Sequence, residues 1–279
     1  MILDKGLSGG AGVCHGLRMR LKAIWCLGVW AATLVAGPAD DVARIHIEAI
    51  GGKERIEAVG ALRASGRVTT SGRMVRFRML AARPNQVRIE TESGGRTLVQ
   101  SYDGKNPPWE MDTAGNPPVA RAMRETATAM FLRDAEFDDP LVGGEARGYR
   151  LDAAGEFTID GRRLTKILVT QNGGAPFFIY VDAETFLIVL RVDVRKQASG
   201  RDAEVVTRFD RFRPVNGVLL PHLIEVSLDG EVVQATVIDG MDANPKLTAG
   251  IFTRPETAAE KKEREERARS KAGRSLFRE

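Results

Sequence analysis

Three features of the 279-residue sequence predict an α+β domain, mainly antiparallel β, with one helix at its start and a second helical block inside the strand series. Apolar residues follow helical spacing up to Gly60 and a two-residue period beyond it. Turn signals then recur at short intervals as far as Asp229-Gly230. One block, Val119–Asp134, returns to helical spacing in the middle of the strand rhythm.

The chain begins with a short polar preface, then Arg18-Met19-Arg20-Leu21-Lys22 and an apolar run from Ala23 to Ala36. That run suits the apolar stretch of a secretory signal and is short for a membrane span. Small residues follow at Gly37 and Ala39, so residues 1–39 are expected to form an export signal cleaved near Ala39. The protein is then expected in the periplasm, and Met19 offers a second start. Cys14 and Cys26 both fall before the cleavage point, so the exported chain would carry no disulfide, thiol nucleophile or cysteine-ligated metal. Cys26 lacks the small residues that precede a lipid-modified cysteine, which favours a soluble product.

Residues 40–254 read as one β-rich body. A first helix places Val42, Ile45, Ile47, Ala49 and Ile50 on a mostly apolar stripe and stops at Gly51-Gly52. A short second helix runs from Lys53 to Val59. In Val75-Arg76-Phe77-Arg78-Met79 and Gln86-Val87-Arg88-Ile89-Glu90, apolar and charged residues alternate, as in a sheet with one covered face. Arg76, Arg78 and Arg88 are therefore expected on a solvated outer surface. Arg83-Pro84-Asn85 and Ser93-Gly94-Gly95 are turns, and a strand ends at Tyr102-Asp103-Gly104-Lys105. Pro117-Pro118 introduces the helical block at Val119–Asp134, and Asp138-Asp139-Pro140 follows it. Later strands are expected at Leu164–Thr170, Phe177–Asp182, Leu187–Arg195, Glu204–Phe212, Leu219–Leu228 and Val232–Ile238. The last two join through Asp229-Gly230.

The tail, residues 255–279, mixes eight basic with six acidic residues at helical spacing, and is expected to be a charged helix or disordered. Of 41 basic and 37 acidic residues, the leader holds four and one. Removing leader and tail leaves 29 basic against 30 acidic, so the body has no excess of positive charge for nucleic acid.

Catalytic patterns are sparse. His15 lies in the leader; His46 reads as a partly exposed residue of the first helix. His222 and Glu225 would point to opposite faces of a strand, which spoils a metal pair or a base–orienter pair. No serine sits in a Gly-x-Ser-x-Gly turn, and Gly94-Gly95 and Gly143-Gly144 lack the setting of a phosphate loop. The expectation is a non-enzyme without cofactor or metal.

A series of local signatures resembles the outer-membrane lipoprotein-sorting superfamily, the LolA/LolB-like carriers. Ile50-Gly51-Gly52-Lys53 followed by Leu62-Arg63-Ala64-Ser65-Gly66-Arg67-Val68 is similar to that family's first helix and first strand. Tyr102-Asp103-Gly104-Lys105 with Trp109, the segment Phe209–Pro221, and Asn244-Pro245 through Phe252-Thr253-Arg254-Pro255 resemble later elements in the same order. The resemblance implies a curved open half-barrel sheet with the N-terminal helix and a helical lid on the concave face. It implies an apolar groove that holds acyl chains of a lipoprotein or other amphiphile, with no bond made or broken. The groove residues would be Val75, Phe77, Met79, Val87, Ile89, Phe186, Ile188, Leu190, Val226 and Leu228, with Met123, Met130 and Phe131 from the lid. The same residues are what a packed core would need. Trp109 would either pack on the rim or gate the mouth of the cavity. The expected partners are an acylated lipoprotein or lipid and an inner- or outer-membrane protein, with the chain a monomer. The alternative is an envelope sensor or structural module of the same fold that binds a protein. A periplasmic hydrolase would need polar residues converging in the groove.

Overall fold

The computed structural model describes residues 38–196 and 200–275. The expected export signal lies outside the described residues except for Pro38 and Ala39. Helix α1 (Pro38–Ala49) starts two residues before the expected body, and Ala39 is already buried in the core. Helix α2 (Lys53–Ala58) follows it.

A first meander then runs through β1 (Ala61–Thr70), β2 (Arg73–Ala82), β3 (Gln86–Ser93), β4 (Arg96–Tyr102), β5 (Trp109–Asp112) and the short β6 (Arg121–Ala122). Helix α3 (Glu125–Asp134) and a single 3-10 turn at Glu145–Arg147 lead to a second meander. Its strands are β7 (Tyr149–Ile159), β8 (Arg162–Gln171), β9 (Phe177–Asp182), β10 (Ile188–Lys196) and β11 (Asp202–Asp210). A separate ribbon of β12 (Arg213–Val215) and β13 (Val218–Leu220) precedes β14 (Leu223–Leu228) and β15 (Glu231–Ala243). Helix α4 (Ala258–Ser275) ends the described chain.

The strands form one 13-stranded antiparallel sheet in the order β6-β5-β4-β3-β2-β1-β15-β14-β11-β10-β9-β8-β7. The β14–β15 hairpin joins the two meanders, because β15 pairs with β1 from Leu62↔Ala243 to Thr70↔Gln234. Its turn, Asp229-Gly230, has positive φ at both residues (49° and 86°), the twist a two-residue hairpin needs. Strands β6 and β7 have no second neighbour, so the sheet stays open.

Register defines two faces. One is the helix-bearing face, whose rows include Ala64, Phe77, Met79, Val87, Ile89 and Met241. α1 covers it over β7–β10, where Val42, Ala39 and Ala43 pack on Ile167, Val169, Phe177 and Ile179. α3 covers it over β2–β4, where Phe131 and Ala127 pack on Val87, Met79 and Ile89. Geometry shows how strongly the sheet bends. α3 touches β3 through this cluster and reaches β10 through an Arg133–Asp193 ion pair, although five strands lie between β3 and β10. On a flat sheet those strands would stand about 29 Å apart, at about 4.8 Å per step, whereas a ten-residue helix is about 15 Å long. The helix-bearing face is therefore concave.

Four sequence expectations are corrected here. The helical block begins at Glu125, and Arg121–Ala122 instead extend the sheet as β6. The expected strand Leu219–Leu228 is broken at Pro221-His222: Pro221 has no N–H to give, and the His222 N–H turns to the carbonyls of Asp210 and Arg211. β7 lies outside the expected strands: its positions from Ala153 to Thr158 are all exposed and show no alternation. His46 is not a partly exposed filler but a buried residue, 2% accessible.

Candidate functional site: the concave trough

The floor of the trough is built from alternate residues of ten strands. Val68, Val75, Phe77, Met79, Ile89, Ile224, Val226 and Leu228 line its centre by register. Phe77 and Val87 are buried, whereas Val75, Met79, Ile89, Val226 and Leu228 keep partial exposure. Ile188 is buried beneath α1, and Phe186, at the β9–β10 turn, packs on the same cluster. Phe131 of the lid and Met123, just ahead of it, are buried against Val87; the Met130 side chain lies outside the described ones.

Two expected groove residues lie on the other face. Leu190 pairs with Tyr180 and packs with Leu164 and Val189 on the convex side, because a register irregularity between Ile188 and Leu190 changes the alternation. Trp109 pairs with Ser101 and, through it, with Arg88, which also places it on the convex side. There a strap from Leu247 to Phe252 crosses the sheet. The Trp109 indole N–H and the Ser101 hydroxyl both donate to the Phe252 carbonyl at 3.0 Å, and Arg88 donates to that of Ile251 at 3.3 Å. Trp109 is thus an anchor for the strap, not a gate. Arg88 likewise departs from expectation: its side chain is 15% exposed, paired with Glu90 at 2.8 Å and set 5.7 Å from the Trp109 ring. Arg76 and Arg78 are exposed as expected. Beside the strap, a cavity of about 440 Å³ is lined by Asp103, Asn106, Trp109, Ala122, Thr253 and Arg254.

A knot of polar groups holds the base of the lid. His46 on α1 faces two acceptors, the Phe186 carbonyl at Nδ1 (2.6 Å) and the Asp139 carboxylate at Nε2 (3.1 Å). Only the imidazolium can donate to both. Burial opposes that charge, but the Asp139 carboxylate and the two hydrogen bonds outweigh it and raise the His46 pKa above its ordinary value. Burial likewise works against the Asp139 carboxylate, yet His46 and the Leu141 N–H hold its pKa below the usual range. Arg83 donates to the carbonyls of Val59 (2.8 Å) and Ile56 (2.7 Å) and pairs with Asp138, tying α2 to the same linker. Burial still pushes the Asp138 pKa up against the pull of Arg83. Arg147 donates to the carbonyls of Asp138, Asp139 and Val142, and the Tyr149 hydroxyl donates to Glu136. Burial, together with Glu136, raises the Tyr149 pKa.

His222 is buried, with its Nδ1 3.0 Å from the Leu220 carbonyl. Among the described residues no group of His, Cys, Asp and Glu converges as a metal site, and no helix is long and apolar enough to cross a membrane.

This architecture has counterparts among solved structures. A DUF1329 family protein from Desulfovibrio piger superposes with a TM-score of 0.53 at 13% identity, covering 81% of this chain and all of its own. A putative outer membrane lipoprotein-sorting protein domain from Vibrio parahaemolyticus gives a TM-score of 0.53 at 9% identity, covering 77% and 96%. The chain has the lipoprotein-sorting fold. At these identities the likeness is one of architecture. No family model matches the sequence, and no curated protein matches it.

Proposed function

We propose that this chain is a periplasmic carrier that shields the acyl chain of a lipoprotein or other amphiphile in its concave trough, without chemistry. The observation that carries the reading is the character of the floor. Val68, Val75, Met79 and Ile89 on one side of β15, and Val226 and Leu228 on the other, form apolar patches linked by the uncharged Thr236 and Gln234, and the helices cover them only in part. Water contact on such a surface is unfavourable, and an acyl chain recovers about 0.8 kcal/mol per methylene it buries. About ten methylenes would thus offset roughly 8 kcal/mol of transfer from a membrane. The lipoprotein-sorting fold supports the reading. A leader ahead of α1 would deliver the chain to the periplasm, with cleavage on the N-terminal side of Ala39 keeping that buried residue in the mature protein.

The test is native mass spectrometry with lipid extraction on protein purified from the periplasm under mild conditions. A bound phospholipid or acylated species, lost on Val226→Glu with folding retained, supports the carrier. A clean apo mass, under conditions that keep lipid on a known carrier, refutes it. A stoichiometric protein partner in place of lipid would instead favour an envelope sensor of the same fold.

A further inference from the structure

Away from the strand ends at Arg73, Arg96 and Arg163, register assigns uncharged residues to the concave positions of β1–β4, β8, β9, β11, β14 and the inner length of β15. The exception is β10, where Arg191 and Asp193 both face inward, in register with Ile179 and Thr207, and with Val205. Arg133 of α3 joins them from above. Its Nη1 lies 2.8 Å from Asp193 Oδ1, while Arg191 Nε lies 3.3 Å from Oδ2 and its guanidinium stacks 4.0 Å from the centre of the Phe177 ring. Asp193 is buried, at 4%, and the two arginine side chains keep 27% and 19% exposure.

Among the described side chains the charges do not balance. Two guanidinium groups share one carboxylate, and the neighbouring groups cancel among themselves: Arg147 with Glu136, Arg83 with Asp138, His46 with Asp139. Among these described side chains one positive charge is left over in the trough, where a lone charge is poorly solvated. Arg133 also spends only one of its five N–H donors in the hydrogen bonds of the described residues. Guanidinium groups pair best with planar or tetrahedral oxyanions.

We propose that Arg133 and Arg191 are the anion seat of the trough, receiving the carboxylate or phosphate headgroup of an amphiphile whose chain lies on the apolar floor. This rests on the carrier reading and names its ligand class: anionic amphiphiles, in preference to neutral ones. Asp193 positions the two arginines in the empty trough and competes with the incoming headgroup. Because Arg133 belongs to the lid and Arg191 to the sheet, a seated anion also holds the lid to the far wing.

The experiment compares binding of oleate, dioleoylphosphatidylglycerol, oleyl alcohol and diolein to the full chain. Wild type is expected to prefer each anionic ligand over its neutral counterpart by about tenfold or more. The Arg133→Gln/Arg191→Gln double variant should bring that ratio to about one while keeping its affinity for oleyl alcohol. Asp193→Asn should strengthen oleate binding severalfold, which a purely structural clasp would not do. Preference for oleate alone or for the phospholipid alone identifies the source of the anion. Equal binding of charged and neutral ligands by wild type overturns the anion seat and leaves the carrier standing. Failure of all four to bind overturns the carrier reading itself. The wild-type ratio and its loss in high salt decide the matter even where the double variant does not fold.

Discussion

Replacing Asp139 by Asn tests the knot beneath the lid. His46 is 2% exposed and carries two donors into two acceptors, so its charge is tied to the Asp139 carboxylate 3.1 Å away. Asp139 keeps 32% side-chain exposure, which brings the loss below the roughly 3–5 kcal/mol of a fully buried pair, to about 2 kcal/mol. With a urea slope of about 2–3 kcal/mol per M, the unfolding midpoint should fall by about 0.7–1 M. The pH dependence is sharper than the size. Asp139 has a lowered pKa, so its contribution is present above its ordinary value of 3.8 and is lost as pH falls through the lower folded value. His46 has a raised pKa, so its contribution is full below 6.5 and fades as pH climbs through the higher folded value. The gap between wild type and Asp139→Asn should therefore be widest between pH 4 and 6.5 and shrink on the alkaline side. Urea titrations at several pH values from acid to alkaline read this directly. A gap that stays constant across that range would refute the assignment of a charged His46.

Further expectations follow from the sheet and its strap. Gly66→Ala should destabilise by at least about 2–3 kcal/mol, because a Cβ there would stand 2.0 Å from the Val237 carbonyl oxygen at the β1–β15 irregularity; thermal unfolding checks it. Trp109→Phe keeps the ring but removes the N–H donor to Phe252, which should cost about 1–2 kcal/mol and raise amide exchange in Leu247–Thr253 ahead of the rest of the molecule. Thr257 and Glu260 form a reciprocal cap at the start of α4, and Glu260 is held at about 2 by hydrogen bonds from Arg254 and Thr257. Thr257→Ala should lower the helical circular-dichroism signal of the tail, whereas acidification to pH 4 should leave the cap of the wild type intact.

Much of the fold was legible because strand alternation and turn chemistry are local. Val75–Met79 and Gln86–Glu90 identify their own buried side, and Asp229-Gly230 identifies its own hairpin. What escaped depends on partners far away in sequence. Trp109 belongs to the convex face only because Ser101 and Arg88 stand beside it and the strap arrives from residues 247–252. Leu190 changes sides through one irregularity that leaves no mark in composition. His46 is buried with a raised pKa because Asp139 and Phe186 come to it across 93 and 140 residues. Arg133 reads as an ordinary helix-surface cation until the curvature brings β10 under it.

The pairing of β1 with β15 dictates the order in which the molecule can be assembled. Leu62 finds Ala243, and Thr70 finds Gln234, only after nearly the whole body has been synthesised. Until then β1 offers a bare row of amides and carbonyls, ready to accept any extended segment. Closing such long loops is slow, so this edge is the vulnerable one in a nascent chain. A chaperone or competing peptide that occupies β1 would arrest folding with the first meander formed and the trough cut in half.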